Sequence, residues 1–249
     1  MKFRPCIDIH NGKVKQIVGG SLKDAGNQAR ENFVSRQDGA FYASLYKEKG
    51  LKGGHIILLN SADSQYFEDT RKQAFLALEA YPGGLQLGGG VNPENAGVYL
   101  DAGASHVIVT SYVFKDGNIS WENLDKMVKA VGREHLVLDL SCRKKGDAYY
   151  VVTDRWQKFT QQQVTLELME KLGSFCDEFL VHAVDVEGKA NGIEVPLASL
   201  LGKYDGRPVT YAGGVGSMED IQILKEAADG KLDVTVGSAL DLFGGKIPF

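Results

Sequence analysis

The chain has 249 residues, 43% of them hydrophobic, and a formal net charge of −4. That is enough for one large core, and a pI near 5.8 argues against a nucleic-acid or anionic-membrane surface, which needs a basic face. Cys6, Cys142 and Cys176 are odd in number and lack CxxC spacing, the start 1–5 is too polar for a signal peptide, and no apolar run is long enough to span a bilayer. Neither a disulfide framework nor a zinc site is expected, and a cytoplasmic setting is.

In chain order, 3–9 reads as a first strand with Asp8 near its carboxyl end, followed by an Asn11-Gly12 turn and an alternating short strand at 13–18. The stretch 19–37 is long, glycine-bearing and weakly patterned, and is expected to be a mobile cover. A helix follows with Tyr42, Leu45 and Tyr46 on one face. Strands are predicted at 55–59, 85–87, 106–110, 135–139, 178–184, 208–212 and 232–236. Helices are predicted at 66–80, 93–102, 120–131 (capped by Ser120) and 218–228. Between 141 and 157 a hairpin excursion is expected over the same end of the sheet. This alternation predicts a parallel sheet closed into a single (β/α)8 barrel domain over 1–249. Only 244–249 follow the last turn, too few for an eighth outer helix, so the seam between first and last strands is expected to be partly bare or covered by residues outside the chain.

Two stretches repeat. The Gly-Gly turn at 213–214 matches that at 89–90, and the strand and turn ending in Gly-Ser at 237–238 match those ending in Thr-Ser at 110–111, with offsets of 124 residues (Gly89 to Gly213) and 127 (Ser111 to Ser238). Turns of this kind point several backbone N–H groups at one anion without a Cβ in the way. In (β/α)8 barrels the loops after strands seven and eight bind phosphate. A second pair half a chain away implies a two-fold half-barrel repeat, and a ligand carrying a phosphate at each end.

Asp8 and Asp139 occupy equivalent strand ends, and two such aspartates suit general acid–base work once enclosure raises one pKa. The competing reading, a helix cap or a loop ion pair, is weaker for a symmetric pair than for a lone aspartate. Trp156 either stacks on a ligand ring or anchors loop packing. His182 either donates to the ligand or is a satisfied barrel histidine. Arg143, with Lys144 and Lys145, either meets a phosphate or is solvated. No dinucleotide fingerprint or metal-spaced cluster appears, so no cofactor is expected.

The segments CIDIHNGKVKQIVGG (6–20), LDLSCRK (138–144) and HAVDVEG (182–188) resemble the histidine-pathway ProFAR isomerases, in their eukaryotic-type branch, and the resemblance spans essentially the whole chain. It implies an Amadori rearrangement of a bisphosphorylated aminoaldose to an aminoketose, with Asp8 as base and Asp139 as acid. It also implies phosphate loops at Gly89, Gly90, Ser111, Gly214, Gly237 and Ser238, and a fifth-loop aromatic at Trp156. A monomer with a small-molecule partner is expected. Bacterial members carry Arg where this chain has Asn92, and their strand-six Thr falls on His182 or Ala183. The rivals are the sister cyclase barrel of imidazole glycerol phosphate synthase and a non-catalytic phosphosugar-binding barrel.

Overall fold

A computed structural model describes residues 1–18, 21, 30–154 and 156–249. Among these, eight parallel strands lie side by side in chain order: β1 (Cys6–His10), β2 (Gly54–Leu58), β3 (Leu85–Gly88), β4 (Val107–Val109), β5 (Leu136–Asp139), β6 (Glu178–His182), β7 (Val209–Ala212) and β8 (Asp233–Thr235). Their residues alternate with period two. Ile7, Ile9, Ile56, Leu85, Leu87, Val107, Val109, Leu136, Leu138, Phe179 and Val181 face outward into one continuous core beneath the helices. Ile57, Ile108, Val137 and Leu180 form a separate cluster inside. Asp8, Asp139 and His182 share the inward phase, so the pattern that builds the core also aims these groups along the barrel axis.

Among the described residues, seven helices cover the outside: α1 (Gly39–Glu48), α2 (Phe67–Ala80), α3 (Ala96–Asp101), α4 (Trp121–Val131), α5 (Leu166–Leu172), α6 (Val195–Leu201) and α7 (Met218–Ala227). Ser120 caps α4 by accepting from the Asn123 N–H, and α7 begins with a reciprocal Ser217–Asp220 capping box. On α1 the buried face is Tyr42, Ala43 and Tyr46, with Leu45 only half-buried. α3 starts later than expected because Asn92 Oδ1 accepts from the Glu94 and Asn95 N–H groups and holds a turn there. No expectation covered α5 or α6.

The seam is closed rather than bare. Phe3 bridges Val234 in parallel register; Arg4 N–H donates to Val234 O (2.8 Å) and Val234 N–H to Lys2 O (2.9 Å). The short tail takes the place of an outer helix: Phe249 meets Phe3 and Tyr46 at ring separations of 6.2 and 5.7 Å, and Phe243 stacks on Tyr42 at 5.4 Å. At the amino-terminal end Arg4 pairs with Asp233 (2.9 Å) and Glu178 (3.4 Å), closing that mouth with charge.

Two excursions stand at the other end. After β1, the strands Lys13–Ile17 and Glu31–Val34 extend the sheet antiparallel. The expected cover at 19–37 therefore contains a strand, and its residues 19, 20 and 22–29 lie outside the described residues. After β5, the strands Cys142–Lys145, Ala148–Thr153 and Lys158–Gln163 form a sheet of their own, larger than the hairpin expected.

Candidate active site

A cavity of about 760 Å³ opens at the carboxyl ends of the strands, with Ile57 and Ile108 among its lining and Asp8, Asp139 and His182 exposed to it. Its size suits a small-molecule ligand. Asp139 Oδ1 accepts from Ser141 N–H and Oγ–H, both at 2.7 Å. With the Ser141 proton committed there, His182 Nδ1–H donates to Ser141 Oγ at 3.2 Å, and Nδ1 lies 3.6 Å from Asp139 Oδ1. Burial alone would raise the Asp139 pKa, but the hydrogen bond and charge of His182, then Ser141, outweigh it and hold the carboxyl below its usual range. The reciprocal balance applies to His182: burial opposes its charge, but Asp139, Glu187 and Asp8 raise it to about 9.

Asp8 has the opposite environment. Burial, then the charge of Glu187, raises it to about 7 against the opposing His182. Glu187 is itself raised, by burial, and its Oε2 is buried without a hydrogen-bond partner. His55 sits edge-on to His182 at 5.7 Å and is lowered to about 3 by burial and by that neighbour's charge. At neutral pH the site thus holds an ionised Asp139, a protonated His182, a neutral His55 and an Asp8 close to half-protonated.

The four predicted loops converge on the same cavity through Gly89, Gly90, Ser111, Gly213, Gly214, Gly237 and Ser238. The half-barrel repeat survives in the backbone: φ is +104° and +71° at Gly89 and Gly90, and +118° and +80° at Gly213 and Gly214. A Cβ on Gly89 would collide with the Leu58 carbonyl at the end of β2, and one on Gly213 would lie 2.8 Å from the Ala183 carbonyl just past β6. Gly237 is required for a different reason, because a Cβ there would strike Gln16 Oε1. Gly89→Ala is therefore expected to cost about 1–3 kcal/mol, seen as a lower Tm, and to remove the added stability given by inorganic phosphate. Gly90→Ala, with open space around its Cβ position, is expected to cost less.

Trp156 lines the cavity with its ring 5.5 Å from that of His182, on a backbone with φ of +68°, rare for a bulky residue. Arg143 does not line it. Its Nε donates to Asp185 Oδ1 at 2.8 Å and its guanidinium lies 5.5 Å from the Phe159 ring centre, an ion pair that neither expectation, phosphate contact or a solvated residue, includes. The sequence reading missed Glu187, Gln16, His55 and Lys158, all on the cavity wall. Glu187 lay within a loop already marked by its glycines, but a carboxylate beside glycine carries no spacing signal of its own. Among the described residues, no three His, Cys, Asp or Glu side chains converge as metal ligands.

Fold and site define a (β/α)8 barrel of the enzymatic kind, with ionisable groups on its axis and anion-shaped loops at the carboxyl ends of β3, β4, β7 and β8. The chain belongs to the histidine biosynthesis protein family, whose sequence profile matches residues 2–248. It is 55% identical to a chloroplastic 1-(5-phosphoribosyl)-5-((5-phosphoribosylamino)methylideneamino)imidazole-4-carboxamide isomerase (ProFAR isomerase) of Medicago truncatula, over all of this chain and 80% of that protein. Isomerases of the same name from Neurospora crassa and Saccharomyces cerevisiae are 44% and 40% identical, over 98% and 99% of this chain and 94% of each relative.

Proposed function

We infer that this chain is an aldose–ketose isomerase of histidine biosynthesis that converts the aminoaldose ProFAR into its aminoketose. The observation that carries the reading beyond family membership is the pairing of unequal ionisable groups between two equivalent anion loops. An Amadori rearrangement needs a proton delivered to the ring oxygen of the ribose and a proton removed from C2. Asp8, near half-ionised at neutral pH, is the base, because a base poised near the working pH combines the right protonation state with driving force. The opposite wall delivers the proton. Asp139 is held ionised there, so the acid role expected of it is exercised through His182, which carries the proton while Asp139 stabilises its charge. The phosphates of the substrate lie in the β3/β4 and β7/β8 loops, placing the sugar between the two walls, and the Trp156 ring closes over it.

A cytoplasmic setting belongs to the same proposal and is supported by three buried, free thiols. The test is incubation of purified protein with ProFAR alone, without ammonia or a glutaminase, and chromatography for the open-chain ketose. Absence of turnover by folded protein overturns the reading; consumption of the ketose with ammonia would then favour the cyclase.

A further inference from the structure

Among the described residues, the wall of the cavity holds little positive charge for a ligand with two phosphates. Carboxylates of Asp8, Asp139, Asp154 and Glu187 line it, and among the described residues Lys158 is the one lysine or arginine that does. Of the β3/β4 loops, the one after β3 holds no lysine or arginine among 89–95, and Lys115 in the one after β4 does not line the cavity. Asn92, just after their glycines, spends its side-chain oxygen on the Glu94 and Asn95 N–H groups.

Lys158 is held on that side of the mouth. Its strand is tied to the loop after β4 by Gln161 N–H donating to Gly117 O at 2.7 Å and by Gln162 Nε2 donating to Asn118 Oδ1 at 3.4 Å. Just before that strand, Asp154 N–H donates to Ser111 Oγ at 3.4 Å. Lys158 Nζ pairs with Asp154 Oδ2 at 2.7 Å, with the lysine side chain 75% exposed. An exposed pair of this kind holds its partners weakly. A phosphate offers the ammonium more charge and more acceptor oxygens than the carboxylate does.

We propose that Lys158 is the phosphate-binding cation of the β3/β4 loops, exchanging its Asp154 partner for the ligand's phosphate on binding. The proposal rests on the bisphosphate reading above and supplies a charge for the phosphate at its β3/β4 end. Asp154 then serves as a counter-ion that keeps the ammonium near the loop and competes with the phosphate for it.

Lys158→Met is expected to raise KM for ProFAR about tenfold or more, the range of one charged hydrogen bond, with the loss on KM rather than kcat. Lys158→Arg should recover most of it. Asp154→Asn should lower KM in the presence of Lys158 and have no such effect in Lys158→Met. Lys145→Met, on the same excursion but off the cavity wall, serves as the control. Thermal denaturation with inorganic phosphate reads the site without turnover, and the rise in Tm with phosphate should shrink in Lys158→Met. An unchanged KM, or where ProFAR is not turned over an unchanged phosphate response, overturns the proposal. If the wild-type protein fails to turn over ProFAR while its phosphate response depends on Lys158, the isomerase reading falls and the cation site stands.

Discussion

Asp8→Asn is expected to abolish turnover and at the same time make the protein more stable. Loss of a general base costs about a hundred- to ten-thousand-fold in kcat, measured against ProFAR under saturating substrate. The stability gain follows from proton linkage. The folded pKa is about 7 against 3.8 for an ordinary aspartate, so between those values the folded chain keeps a proton that the unfolded chain has released. Stability therefore falls as pH rises through that window, and the cost is complete above it. Asparagine removes the titration, so the variant should exceed wild type by about 1–3 kcal/mol at pH 8, or roughly 2–4 °C in Tm per kcal/mol, and show little advantage at pH 4. Glu187→Gln is the companion variant. It removes the charge that helps raise Asp8, so the acid limb of the kcat/KM profile should move to lower pH, with turnover retained in part. An unmoved limb would detach Glu187 from the base.

His182→Ala is expected to damage the other wall. Without the imidazolium, Asp139 keeps only its Ser141 contacts, burial prevails, and its pKa should rise. The proton donor is gone, so kcat should fall by about a hundred- to ten-thousand-fold. Here the sign of the linkage differs in origin. The folded His182 pKa of about 9 lies above the usual 6.5, so its stabilisation is fully present below pH 6.5 and is lost as pH rises through 9. Wild type should shed about 1–3 kcal/mol across that interval, and His182→Ala should lack that limb. His182→Gln, which keeps a hydrogen-bond donor but no titratable proton, separates the roles: recovery of stability without recovery of kcat assigns the proton to His182, whereas recovery of both would make the residue structural.

The barrel was legible because strand and helix periods differ and because outward positions such as Ile7, Ile9, Leu85 and Leu87 are apolar without exception. The inward aspartates were legible for the complementary reason: a carboxylate in the buried phase of a strand has to be accounted for. The glycine turns could be read at residue level, since φ values near +100° at Gly89 and Gly213 admit little else. Protonation could not be read. That Asp8 is raised while Asp139 is lowered depends on where His182, Ser141 and Glu187 project in space, and a His182 that is 43 positions from Asp139 and a Glu187 that is 179 from Asp8 leave no local pattern. Arg143 illustrates the converse, for a basic residue beside a predicted excursion turned out to face Asp185.

The near two-fold match of the anion loops carries one more implication. Two Gly-Gly turns of matching backbone do not by themselves tell head from tail, and on the proposed reading Lys158, beside one pair of loops only, is one mark of direction. On the same reading proton inventory is the other mark: one wall accepts and the other gives. Polarity of the reaction is thus encoded in a handful of side chains written onto a symmetric frame, and those few residues, rather than the frame, decide which sugar is opened.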